Sequence, residues 1–174
     1  GTQSNMNSNE VIANRGNQIL GKALLHPNDD VNKSQSSNDT YPTAMHIAAY
    51  EVLSKKLLPA LALMRDKLLE LEKENAGIIK TGRTHLQDAV PITLGQEISG
   101  WRSMLDHAEK MIEDTMGPLR ELALGATAVG TGLNAPKGFD KLAAAFIGAE
   151  LSADYVTAEN KFHSLTSKDA MVYS

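Results

Sequence analysis

Two apolar seams constrain this chain more than anything else in it. Leu94, Ile98, Trp101, Leu105, Ala108, Ile112, Thr115, Leu119 and Leu122 alternate steps of 4 and 3 over four heptads. That is the spacing of a stripe along one helix face. Thr115 is its one polar member, and Gly117-Pro118 is expected to bend the helix near its end. Upstream, Leu53, Leu57, Leu61, Met64, Leu68 and Leu71 step by 4, 4, 3, 4 and 3. They fall in a helix expected from about Thr40 to Glu74, roughly 50 Å at the helical rise. Pro59 inside it is expected to give a kink rather than a break. Two such seams on consecutive helices cannot bury each other fully, so further helices or other subunits are implied.

The remainder reads as helix and loop. Residues 1–9 are nearly all small and polar, and a first helix is expected over Glu10–Leu20. There Val11, Ile12, Arg15 and Ile19 lie about a turn apart, with Asn9 as cap and Gly21 as stop. Residues 31–39 and 75–92 read as connections, the second long enough to be functional. The small residues of 125–132 suit close backbone packing or close approach to a ligand. They lack the Gly-Lys-Ser/Thr ending of a phosphate-binding loop. Phe139, Leu142, Ala143 and Phe146 mark a shorter helix with a break near Ser152-Ala153-Asp154, and a last helical pattern starts near Asn160. No β-alternation exceeds a few residues. The expected fold class is all-α, a bundle of long helices.

Composition closes off several classes of function. Hydrophobic residues at 42% and charged residues at 22% describe a globular chain, not a disordered one. A net charge of −4 offers nucleic acid or a membrane surface no bulk attraction. With no cysteine there are no disulfides or thiolate metal sites. No apolar run reaches the roughly 18 residues of a membrane span, and no signal peptide opens the sequence. Gly1 begins without an initiator Met and Ser174 falls inside a helical pattern, so the 174 residues are expected to be an internal piece of a longer protein.

Four polar clusters lie at or beside expected helix ends: Gly1-Thr2-Gln3-Ser4-Asn5, His26-Pro27-Asn28-Asp29, Ser36-Ser37-Asn38-Asp39 and Thr84-His85. Helix ends leave backbone donors free, and the dipole favours an anion at the N-terminus. Ser36-Ser37-Asn38-Asp39, at the head of the long helix, is either a cap or part of a site for a carboxylate-bearing substrate. Capping alone is the more economical reading of those four residues in isolation. The clusters favour neutral donors over Lys or Arg, which suits a site that stabilises charge as it develops. His85 is the candidate proton carrier, since imidazole titrates near neutrality, although a lone loop histidine is more often a surface or capping group. His26 and His85 with Asp29 and Asp88 lack metal-ligand spacing, and no Gly-x-Ser-x-Gly elbow accompanies a serine.

Taken together, the strings resemble the class II fumarase (fumarate hydratase) branch of the fumarase/aspartase superfamily. The resemblance runs from Gly1-Thr2-Gln3-Ser4-Asn5-Met6-Asn7 through residues 26–39 and Gly82-Arg83-Thr84-His85-Leu86-Gln87-Asp88 to Asn160-Lys161-Phe162. Aspartases are similar over much of this length but carry Gln at the position of His85 and Ser-Thr-Asn-Asp at 36–39. The resemblance implies a hydro-lyase of the tricarboxylic acid cycle, cytoplasmic or mitochondrial. Its reaction is the reversible hydration of fumarate to L-malate with no metal or organic cofactor. Aspartate ammonia-lyase, or another lyase of the superfamily, is the alternative.

Carried over by position, Thr2, Ser36, Ser37, Asn38 and Thr84 hold the dicarboxylate and His85 is the catalytic proton-transfer group. His26, Asn28 and Asp29 match a second carboxylate site, although Gly21–Leu25 is a few residues shorter than the family's usual segment. Residues 1–35 correspond to the end of an N-terminal domain and 36–174 to the first part of the central helical bundle. The family assembles as a homotetramer with each active site built from three subunits, which would occupy the unpartnered seams. Its proton-abstracting serine lies in a Gly-Ser-Ser-x-Met-Pro-x-Lys-x-Asn string that is absent here, so this chain by itself is expected to be inactive.

Overall fold

The computed structural model describes residues 1–174. Helix α1 covers Thr2–Leu20, α2 Ser37–Val52, α3 Leu58–Glu74 and α4 Leu94–Leu119. A hairpin of β1 (Ile79–Thr84) and β2 (Gln87–Thr93) separates α3 from α4. After α4 come β3 (Glu121–Leu122), α5 (Phe139–Leu151), β4 (Val156–Thr157), α6 (Lys161–Thr166) and α7 (Asp169–Tyr173). Contacts divide the chain into two compact units, Gly1–Tyr50 with Gly117–Ser174, and Glu51–Met116. No helix is long and apolar enough to cross a membrane.

The long helix expected from the first seam is present, and it absorbs Pro59 without breaking. A π-helical turn over Leu53–Leu57 joins α2 directly to α3, with Leu58 N bonded to Leu53 O. Proline has no N–H and its ring crowds the carbonyl four residues back; a widened turn just before it relieves both. In the Glu51–Met116 unit, ion pairs Arg65–Glu109 and Glu72–Arg102 run between α3 and α4 in antiparallel order. Thr115, the polar member of the second seam, is 4% exposed and donates to Ile112 O at 2.6 Å, satisfying itself within its own helix. Much of the seams remains open: Leu57, Met64 and Trp101 stay exposed.

The expected loop over 75–92 is instead an antiparallel β-hairpin. Its two-residue turn is His85-Leu86, with φ of 50° and 62°, between the paired Thr84 and Gln87. Two positive φ values give a turn whose twist matches that of the strands. A bulge between Thr81 and Arg83 falls at Gly82, where a Cβ would come within 2.7 Å of Val90 O.

Helix α1 begins eight residues earlier than its apolar pattern indicates and turns the other way. Asn9 and Ala13 are buried, while Val11, Ile12 and Ile19 are exposed. The inward face is polar because it packs through hydrogen bonds: Asn5 and Asn9 both donate to Asn32 Oδ1, and Thr40 donates to Asn5 Oδ1. Gly21 stops the helix in the left-handed conformation, as expected.

The core of the larger unit is Leu122, Ala144 and Tyr155, flanked by Ile47, Tyr50, Ile147 and Leu151. Tyr50 and Tyr155 meet edge to face at 5.5 Å. Strand β3 pairs in parallel with β4 beside this core, so Leu122 lies outside the helix to which its spacing assigns it.

His46 on α2 contributes a pH dependence. Burial lowers its pKa below the ordinary 6.5, with the Glu121 carbonyl opposing and Lys168 adding to the effect; the Leu119 carbonyl and Asp169 also oppose. A base with a lowered folded pKa favours the unfolded state as it takes up its proton. The contribution is complete above 6.5 and lost as pH falls through the folded value. Replacing His46 with Gln is expected to flatten the fall in thermal midpoint measured between about pH 7 and 5.

Candidate functional site

The head of α2 is closed by its own side chains. Ser36, the N-cap, accepts from Asn38 N on its hydroxyl at 3.2 Å, and Asp39 Oδ1 accepts from Ser36 N at 2.9 Å. This is a capping box with Asp at the third helical position. Asp39 N and Thr40 N both donate to Ser36 O. The helix end therefore does not present a ring of bare amides to an anion. What it offers is the hydroxyls of Ser36 and Ser37: Ser36, accepting from Asn38 N, keeps its own O–H free to donate.

A cavity of about 530 Å³ opens beside this cap. Thr2 and Asn5 on α1 form one side, Asn32 with Ser34 to Ser37 a second, and the 127–134 loop the third. Thr2 Oγ1 and Ser37 Oγ are 3.2 Å apart, so a donor of α1 and a donor of α2 meet at its edge across 35 residues of sequence. Asn38 Nδ2 donates to Ala128 O at 2.7 Å, and Ser34 Oγ to Asn134 O at 3.5 Å, joining the second wall to the third. Every lining residue is neutral. An anion held here meets hydroxyls and amides rather than a formal positive charge, the donor set the clusters lead one to expect.

Behind the cavity Asp39 is fully buried, and its Oδ2 accepts from Gly125 N at 3.1 Å and Thr127 N at 2.7 Å. Burial pushes its pKa up, while the backbone amides of Ser36, Thr127 and Gly125 pull it back. Gly125 has no alternative: its φ is 91° and a Cβ would meet that of Asp140 at 2.4 Å. Thus the small-residue stretch packs closely at Gly125 and lines the cavity from Thr127.

The structure brings together Thr2, Ser36 and Ser37 on the cavity and sets Asn38 against its loop wall. Thr84 and His85 belong to the other unit, Thr84 closing β1 and His85 opening the exposed hairpin turn. His26 caps a π-helical turn, Pro27–Val31, on which Asn28 and Asp29 lie, and all three are exposed. There His26 Nδ1 accepts from Asp29 N at 3.4 Å and lies 3.4 Å from the Asp29 carboxylate. The four clusters include Asn5 but not Asn32, Ser34, Gln35 or Asn134, which also line the cavity. Thr2, Asn5 and Met6 reach it together because they share a face of α1.

The lyase family model matches residues 1–174. The chain is 56% identical over 178 residues to class II fumarate hydratase of Halalkalibacterium halodurans and 57% identical to that of Oceanobacillus iheyensis. Each match covers all of this chain, which spans 38% and 39% of the length of those relatives. Among solved structures, recombinant class II fumarase from Schistosoma mansoni superposes with a TM-score of 0.91 at 39% identity, over 99% of this chain and 40% of that one. The fumarate lyase:delta crystallin from Brucella melitensis bound to cobalt gives 0.92 at 40%, over 99% and 38%. Over the whole length of this chain the sequence and the backbone agree: the chain belongs to the lyase family, in its class II fumarase branch.

Proposed function

We propose that this chain supplies part of the active site of a fumarate hydratase, which interconverts fumarate and L-malate. The observation that carries the reading is the neutral cavity edged by the Thr2–Ser37 hydroxyl pair. Thr2, Ser36 and Ser37 hold a substrate carboxylate through their hydroxyls, and Asn38 adds the amide hydrogen that Ala128 O leaves unused. In the malate-to-fumarate direction a proton leaves the carbon next to a carboxylate, which becomes a dianionic aci-acid. Hydrogen-bond donors fixed in advance stabilise that charge as it forms.

His85, on a turn whose two central residues are both left-handed, acts as the proton-transfer group at the water, with Thr84 beside it on the substrate. Non-glycine residues in that region store backbone strain, which clusters at functional sites. Residues 1–35 end an N-terminal domain and 36–174 begin the central bundle. The open seams of α3 and α4 pack in a homotetramer that completes each site from several subunits. His26, Asn28 and Asp29 form a second carboxylate site. The reaction needs no metal or organic cofactor, and the enzyme works in the cytoplasm, or in the mitochondrial matrix of a eukaryote, within the tricarboxylic acid cycle.

The test uses the full-length enzyme. At about 100 times its Kd, malate is expected to add about 2.7 kcal/mol of stability. Changing Ser37 and Asn38 together to Ala should abolish that shift; an unchanged shift puts the anion site elsewhere. Ammonia from L-aspartate with no malate turnover would overturn the hydratase reading in favour of an ammonia-lyase.

A further inference from the structure

The structure assigns Asp39 a positioning role: a single buried carboxylate anchors two walls of the cavity, the Ser36 cap through one oxygen and the Gly125–Thr127 backbone through the other. The inference rests on reading that cavity as the dicarboxylate site.

Asp39 is 0% exposed, so it does not touch a ligand itself. All of its side-chain hydrogen bonds go to backbone amides, and two of the three residues that donate them, Ser36 and Thr127, line the cavity. Those segments are 86 and 88 residues from one another in the pairs that Asp39 makes. The loop needs holding: Gly125 and Thr127 both have positive φ, 91° and 58°, and Thr127 has no glycine's freedom there. Asn38 Nδ2 fixes the next carbonyl, Ala128 O, so consecutive residues of α2 secure consecutive parts of the loop. Lys161, whose ammonium feels the charge of Asp39, gives its own hydrogen bonds to Leu122 O and Thr157 Oγ1 and pairs with Asp140 at 3.7 Å. The hydrogen bonds that fix Asp39 are therefore those to the two walls. Loss of that anchor leaves the hydroxyls of Ser36 and Ser37 in the molecule but frees the wall opposite them. Substrate binding suffers more than the chemical step.

Asp39→Asn in the full-length enzyme preserves shape, yet whichever way the amide turns, its NH2 faces either Ser36 N–H or the Gly125 and Thr127 pair. Hydrogen exchange at the amides of Gly125 and Thr127 is expected to quicken by about tenfold or more, with the α5 amides unchanged. KM for malate is expected to rise about tenfold, with kcat within about threefold. Unchanged exchange at both amides overturns the anchor, and faster exchange with an unchanged KM overturns its role in the site.

If Asp39→Asn does not fold, the wild-type protein decides. Its Gly125 and Thr127 amides are expected to be protected like those of α5, and exchange at the rate of an open loop overturns the proposal. A wild-type enzyme with no malate or fumarate turnover refutes the dicarboxylate reading instead, while the exchange data still judge the anchor.

Discussion

Replacing His85 with Asn in the full-length enzyme is expected to lower kcat for malate dehydration by about 100- to 10,000-fold, the usual worth of a positioned acid or base. KM should change much less, because the donors that hold the substrate carboxylate are other residues. Asn is the informative substitution. His85 occupies a left-handed position, φ 50°, in a two-residue turn, and Asn tolerates that region better than Ala. The hairpin therefore survives, and a rate loss reports the imidazole rather than a collapsed turn. Steady-state kinetics of malate and fumarate turnover check it. A kcat within about threefold of wild type would remove His85 from proton transfer.

The hairpin that carries His85 is also the element that the sequence hid best. Strands show in a sequence when apolar residues recur at alternate positions; most residues of β1 and β2 are exposed, and the half-buried alternate positions of β1 are Lys80 and Gly82, so no apolar alternation exists to read. Pro91 and Gly82 further disguise it, one paired opposite Thr81 and the other at the bulge. Helix α1 was half hidden for a related reason: its inward stripe is Asn5, Asn9 and Ala13, so a hydrophobic pattern selects the wrong face.

The long helices were legible because their seams are apolar and regular; even Pro59 changes only the turn before it. Of the cavity lining, Thr2, Ser36 and Ser37 were legible through the order of polar strings along the chain. The loop wall at 127–134 was only an ambiguous run of small residues. What it contributes depends on Asp39, a contact over 86 residues that no local pattern encodes.

Leu122 is where regular spacing misleads most, and its replacement carries the largest expected cost in stability. It follows Leu119 by the 3-residue step of the seam, yet α4 stops at Leu119, where Arg120 N folds back onto Gly117 O. The chain then turns into β3, and Leu122 O accepts from Ala158 N at 2.9 Å. The side chain is 0% exposed among Ala144, Tyr155, Ile47 and Tyr50. Leu122→Ala removes methyl groups from a site fixed on one side by the β3–β4 pair and on another by the Tyr50–Tyr155 contact, so collapse around the gap is limited. The expected loss is about 2–5 kcal/mol in the free energy of urea unfolding. Leu122→Met, which nearly conserves volume, should cost less than about 1.5 kcal/mol. If the residue instead belonged to the helix seam that its spacing suggests, Ala would be the better helix former and would leave α4 longer. A large loss for Ala with a small one for Met is thus the signature of the strand-side core, and equal small losses for both would return Leu122 to the seam.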